Sequence, residues 1–321
     1  MRRRARVAEF TLVHQERLLE RSLAALRQAE IDVLLLKGSG LAAGLFRSFT
    51  NRPMGDIDLL VHHDEALSAR DVLLGAGWVW PHDPALDRFY AGHQHLPPLY
   101  DKMRAGPSLE LHTELLMTGN PFHIPAETLW AARRPVKVGA QESAAPHPHH
   151  QLLHVCIHFA WANFLESSAW NALRDTHALA ASGQIQWDAF VETVRAARAE
   201  TCVYWTLYLA RELTDAAIPA DAMSALRPRM SSWRRTALER NAVATCIGAG
   251  VRCPSTRARR HLWEATIQPE RSGHGAARPW DRDAEFTPSD GYAPGGAWRE
   301  RQNARVSNWS RYLRLLVGGS A

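Results

Sequence analysis

"RPMGDIDLLV", Arg52 to Val61, sets two aspartates at alternate positions behind a Gly-Asp corner and in front of an apolar run. The run reads as a strand, and side chains at i and i+2 of a strand leave the same face. Asp56 and Asp58 therefore point together into one space while Ile57 points into the core. Two carboxylates held side by side repel unless a cation sits between them. Mg²⁺, or Mn²⁺ in its place, suits such a pair, because a hard ion takes oxygen ligands from one or two carboxylates and completes its shell with water and substrate phosphates. A solvated acidic turn is the competing reading, since D-x-D arises often by chance.

The stretch upstream bears on that choice. In "LLLKGSGLAAGL", Gly38, Ser39 and Gly40 stand where a Val/Leu-rich strand passes into a helix. Backbone N–H groups and the helix dipole can hold a phosphate in that geometry, and glycine lets it come close. A plain glycine turn competes with this reading, as does a dinucleotide-binding fingerprint. The spacing here is GxGxxxG rather than GxGxxG, and the downstream acids open a strand instead of closing one. Lys37 and Arg52 flank the same region and are candidates to neutralise phosphate, Arg as a bidentate fork and Lys as a point charge.

Further out, residues 9 to 30 carry Leu12, Leu18, Leu19, Leu23 and Leu26 at helical spacing with no Pro or Gly. Glu65 to Gly77 reads as a helix closed by a left-handed glycine cap. "SLELHTELL", Ser108 to Leu116, is a third strand, on which Glu110 and His112 share a face. Strands alternating with helices over residues 1–140 predict an α/β or α+β domain. From 146 to 251 the pattern is helical, broken at Ile218–Pro219. Residues 252–298 are rich in Arg, Pro and Gly and read as irregular, and 299–321 carry Val306, Trp309, Leu313 and Leu316 at helical spacing.

A glycine-serine turn after a strand, a helix and then D-x-D on the next strand resemble the nucleotidyltransferase superfamily typified by DNA polymerase beta. "LLLKGSGLAAGLF…RPMGDIDLLV", "LELHTELL" and "HQLLHVCIHFAW…LRDTHALA" more closely resemble a bacterial family of uncharacterised nucleotidyltransferases, over about residues 20 to 180. The resemblance implies a polymerase-beta-like α+β domain, a mixed sheet with flanking helices, followed by a helical domain, with the active site in a cleft between them. It assigns Gly38 and Ser39 to the nucleoside triphosphate and Asp56 and Asp58 to two metal ions. Glu110 stands where a third carboxylate belongs, although the family more often has Asp there in an Asp-Leu-His-Trp setting and this chain has Glu110, Leu111, His112 and Thr113. It also places a His-bearing helix and an Arg-Asp pair after the catalytic domain, so His154, His158 and Asp175 are expected to face the nucleotide or acceptor.

The chemistry accounts for three carboxylates. Nucleotidyl transfer is an in-line attack on the α-phosphorus, and two cations about 4 Å apart stabilise both the attacking and the departing oxygens. Glu110 could deprotonate the acceptor. The resulting expectation is transfer of a nucleoside monophosphate from an NTP to a hydroxyl, phosphate or amine, on a small molecule or peptide in a tailoring pathway. Its rivals are the same scaffold moving a sugar phosphate or phosphate, and a non-catalytic module that binds nucleotide or nucleic acid.

Other features bound these readings. His150, His154 and His158 recur every four residues, as in some zinc sites, but position 155 is Val and the HExxH signature is missing. The formal charge of +5 is modest, and seven Arg between 252 and 282 interleaved with Trp263 and Trp280 allow a nucleic-acid partner without demanding one. Cys156, Cys202, Cys246 and Cys253 are too scattered for a disulfide framework. No stretch reads as a secretory leader or reaches the roughly 18 apolar residues of a membrane span. A cytoplasmic protein with no membrane partner is expected.

Overall fold

A computed structural model describes residues 2–80, 89–102, 106–117, 119–163, 165, 170–247 and 267. The readings for 252–298, Ile267 apart, and for 299–321 lie outside the described residues, as does Cys253. The chain divides into two compact units, Met1–Asn120 with Ile124–Gln151, and Pro121–His123 with Leu152 onward.

The first unit holds a seven-stranded mixed sheet. Its strands are β1 (Leu34–Leu35), β2 (Asp56–Leu60), β3 (Trp78–Val79), β4 (Leu99–Asp101), β5 (Ser108–His112), β6 (Arg134–Val138) and β7 (Gln141–Ala145), in the order β3-β4-β5-β2-β1-β7-β6. The β2–β5 and β1–β7 pairs are parallel and the others antiparallel. Because β7 pairs with β1 through Leu34 and Ala144, the first unit continues past residue 140.

Alternation along β2 decides which side of the sheet is core. Ile57, Leu59 and Val61 bury with Leu109 and Leu111 of β5 against α1 (Arg2–Gln28) and α3 (Ala66–Gly75), whose inner positions are Leu18, Leu19, Leu23 and Leu26, and Ala66, Ala69 and Leu73. Each Leu so buried contributes about 1.5–3 kcal/mol. Ser22, on the same stripe of α1, donates to the Leu18 carbonyl at 2.8 Å and accepts from the Trp78 indole at 2.9 Å, so its own buried hydroxyl is paired both as donor and as acceptor. On the opposite side, Leu34, Leu36 and Leu60 meet Leu129 and Trp130 of a short helix, α4 (Ala126–Ala131). Asp56 and Asp58 share that opposite side with Leu60 and precede it along the strand.

One local expectation is sharpened and one corrected. The passage from strand to helix is direct: α2 begins at Lys37 and runs to Gly44, so Gly38, Ser39 and Gly40 form its first turn. These glycines do not take the left-handed conformation: Lys37 does, at φ +43. Gly40 is needed for contact instead, because a Cβ there would run into the Leu35 carbonyl oxygen. The expected strand from Ser108 to Leu116 also stops at His112. The cap expected at Gly77 is present, with φ +98 and its N–H donating to the Leu74 carbonyl at 3.1 Å.

The second unit is helical. It contains most of α5 (Pro148–Ile157), a π-helical turn (His158–Ala162), α6 (Trp170–Ala181), α7 (Trp187–Ala196), α8 (Glu200–Thr214), α9 (Ala220–Ala225) and α10 (Ser232–Ile247). α8 is buried nearly all round and ends at Asp215, φ +52, and α9 starts after Pro219, the break marked by Ile218–Pro219. The thiols of Cys156, Cys202 and Cys246 are free and buried. No helix among the described residues is long and apolar enough to cross a membrane.

Gly40→Val should therefore lower the urea midpoint by the equivalent of about 1–3 kcal/mol, the usual cost of overpacking, with the denaturant slope unchanged. Gly75→Ala, which meets no atom within 4 Å, should raise it by about 0.4–1 kcal/mol through the unfolded chain.

Candidate active site

The parallel β2–β5 register sets Asp58 beside Glu110, Asp56 beside Ser108, and Leu60 beside His112. Register partners on neighbouring strands point the same way, so the acids of one strand and the acid and imidazole of the other converge. Asp58, Glu110 and His112 each bring one ligand atom to within 4.8 Å of the others, a group able to hold a metal ion. Among the described residues, His150, His154 and His158 form no such group. Asp56 lies one step nearer the start of the strand, partly exposed, and is not one of the three.

Two cations hold these acids. Lys37 Nζ lies 2.6 Å from Asp58 Oδ1 and 3.9 Å from Glu110 Oε2, and His112 Nε2 lies 3.0 Å from Asp58 Oδ1 and 3.5 Å from Glu110 Oε2. Asp58 is 1 % exposed and His112 fully buried. The other His112 nitrogen, Nδ1, faces the Glu114 carbonyl at 3.3 Å. A carbonyl only accepts, so both ring nitrogens donate and the imidazole is best satisfied as its cation. Burial and Lys37 oppose that charge, but the hydrogen bonds to Asp58 and Glu110 prevail and raise its pKa. Lys37 behaves alike: burial opposes its charge, and Asp58, Glu110 and Asp56 overcome it.

The carboxylates respond in two ways. Burial alone would raise Asp58, yet the Lys37 ammonium and the His112 hydrogen bond hold it well below the ordinary range. Glu110 is lowered too, by His112 and Lys37 against burial. Asp56, with neither cation in contact, is pushed up to about 6 by burial and then by the Asp58 charge.

His95 was not anticipated. Residues 94–96 run antiparallel to the end of β5, Leu96 N–H donating to Leu111 and Thr113 N–H to Gln94, each at 2.9 Å, with a bridge between His95 and His112. His95 Nδ1 donates to the Leu96 carbonyl at 2.8 Å, which leaves Nε2 as a lone pair 3.6 Å from Glu110 Oε2. Burial holds its pKa down at about 4. "HQH" between a helix-like stretch and two prolines carries no periodic signal, so only tertiary pairing reveals it.

The expected phosphate-binding residues lie beside this cluster in the chain. Ser39 is fully buried with Oγ on Met54 Sδ at 3.6 Å, and a Cβ on Gly38 would come within 3.6 Å of Arg52 Nη1. Arg52 is buried and donates through Nη1 to the Pro53 carbonyl. Thus Gly38 and Ser39 pack under the segment that leads into β2. His154, His158 and Asp175 belong to the second unit, where His154 and Asp175 are buried and His158 Nδ1 accepts from the Asn163 amide at 3.1 Å.

A divalent cation fits these donors. Asp58 Oδ2 is buried with no hydrogen-bond partner, an orphaned hard oxygen beside a second carboxylate. In native proteins a buried acceptor left so is met by ordered water, a ligand or an ion, and beside the second carboxylate of Glu110 a cation suits it. Asp58 and Glu110 would hold the ion, with Asp56 able to join.

The mixed sheet, with carboxylates of neighbouring strands beside the first turn of a helix, is the architecture that the sequence resemblance to nucleotidyltransferases implies. The family model described as uncharacterised nucleotidyltransferase matches residues 1–215 of 321, and the chain belongs to that family. No curated protein and no solved structure matches it.

The raised Asp56 pKa makes a signed prediction. The ordinary value of 3.8 applies to the unfolded chain and about 6 to the folded one, so the folded state binds more protons in that window. Stability falls as pH rises through it and stays lower above. In EDTA at pH 8, Asp56→Asn should stabilise the protein by about 1–3 kcal/mol, and at pH 3.5 the two proteins should unfold alike.

Proposed function

We propose that the protein is a metal-dependent nucleotidyltransferase that moves a nucleoside monophosphate from an NTP to a hydroxyl, phosphate or amine acceptor and releases pyrophosphate. The observation that carries the reading is the in-register pair Asp58 and Glu110, with an orphaned Asp58 oxygen, in a chain of this family. A bound Mg²⁺ or Mn²⁺ would supply charge stabilisation on the transferred phosphoryl group and its two apical oxygens.

The chain's own residues do the rest. Lys37 and His112 hold Asp58 and Glu110 ionised, so neither carboxyl has to lose a proton before it can serve as a ligand. Asp56 completes the set once it gives up its proton. Gly38 and Ser39 offer first-turn N–H groups, which have no partner within their own helix, to the phosphate chain. Lys37 and Arg52 supply positive charge to it. Glu110, on the side of β5 and His95, takes the proton of the acceptor. A small molecule or peptide in a tailoring pathway is the acceptor class we favour, reached in the cytoplasm, with His154, His158 and Asp175 contributing to nucleotide or acceptor binding.

The test is pyrophosphate release from each NTP with Mg²⁺ or Mn²⁺, in the presence of small-molecule and peptide acceptor pools. Asp58→Asn and Glu110→Gln should each cut turnover by about a hundredfold or more, since a metal-held charge is worth several kcal/mol in such a transition state. Turnover equal to that of the parent in both variants would overturn the proposal.

A further inference from the structure

Lys37 is one of three lysines in the chain, with Lys102 and Lys137. Its position is not that of a surface lysine. The side chain is 19 % exposed and its ammonium sits on Asp58 Oδ1 at 2.6 Å, within 3.9 Å of Glu110 Oε2. To put it there the backbone takes φ +43 at a residue with a Cβ, while the neighbouring Gly38, which could adopt that conformation freely, does not. Strain of this kind persists only where the surroundings enforce it, and it gathers at functional sites. Here it marks the first residue of α2, so the arm that reaches across to β2 is rooted beside Gly38 and Ser39.

An ammonium and a divalent ion seek the same oxygens. While Lys37 and His112 both sit on Asp58 Oδ1 and face Glu110, the negative charge that would draw a metal is largely neutralised. The orphaned Oδ2 gives an incoming ion a first foothold on the same carboxylate. Its arrival sets two cations against each other in a buried site, where such repulsion is strong. Lys37 is the one on a flexible stem, and an anion at the first turn of α2 lies within reach of its root.

We propose that Lys37 is a tethered counter-ion that exchanges with the divalent cation at Asp58 and Glu110 and, once displaced, pairs with the phosphates at the first turn of α2. Metal binding is then weak alone and strong with nucleotide. The inference rests on the nucleotidyltransferase reading and adds to it an order of events: the triphosphate gives the displaced ammonium a new partner, so metal and nucleotide enter together.

The test uses the full chain and Mn²⁺ titrated by electron paramagnetic resonance. Without nucleotide, Lys37→Met should bind Mn²⁺ about tenfold tighter than the parent, because the competing charge is gone. A non-hydrolysable NTP analogue should tighten Mn²⁺ binding by about tenfold in the parent and far less in the variant. If Lys37→Met fails to fold, Lys37→Gln, which keeps a hydrogen-bond donor without the charge, takes its place.

Amine labelling read by mass spectrometry follows the exchange in the unmodified protein, with Lys137, 74 % exposed, as internal standard. Lys37 should resist labelling in EDTA, react in Mn²⁺ and be protected again by Mn²⁺ with the analogue. Tighter Mn²⁺ binding by the variant together with this labelling pattern supports the exchange. Equal or weaker Mn²⁺ binding by the variant, or Lys37 labelling unmoved by saturating Mn²⁺, overturns it and leaves the metal centre standing. Failure of the parent to bind Mn²⁺ with or without the analogue overturns the centre and the exchange together.

Discussion

The parallel pairing of β2 with β5 is the constraint on which the remaining features depend. It fixes Asp58 opposite Glu110 and brings His112 up behind them. A slip of one residue would turn Asp58 into the Leu-rich core and Leu59 out toward Lys37. The core face resists that slip, since Ile57, Leu59, Leu109 and Leu111 are all buried against α1 and α3. Apolar packing on one side of the sheet therefore sets the chemistry on the other.

That arrangement has an energetic cost. Removing a carboxylate like Asp58 from water is expensive, and pairing repays the cost only where geometry is good. Two cations on one oxygen repay it here, and the second oxygen is left without a partner. Asp56 has no cation in contact, and its carboxyl tends to keep its proton. The centre is accordingly a balance between three acids and two bases rather than a passive cluster of carboxylates. His95, neutral with its lone pair toward Glu110, closes the side away from Asp58.

Much of this was legible in the sequence where one residue's pattern answered one physical demand. Alternation in "DIDLLV" placed Asp56 and Asp58 on one face, and "SLELH" placed Glu110 with His112, because strand periodicity is local. The amphipathic α1 and the change to helices in the second unit were legible for the same reason. Strands β6 and β7 were not: "RPVKV" and "QESAA" are polar and partly exposed, and Pro135 in an edge strand reads as a break. Nothing local could show that Gly40 makes room for a carbonyl or that Lys37, and not a glycine, carries the left-handed corner. The pairing of Lys37 with Asp58, like the approach of His95 to Glu110, joins residues distant in sequence and is fixed by tertiary register alone.

The claim at the centre of this account is that Asp58 and Glu110 grip a divalent cation between neighbouring strands. Anomalous diffraction from crystals grown with Mn²⁺ and a non-hydrolysable NTP analogue addresses it directly. The account predicts an anomalous peak bonded to oxygens of both carboxylates, with the analogue's phosphates on the same ion. A peak elsewhere, or none while the analogue is bound with Lys37 still seated on Asp58, would contradict it.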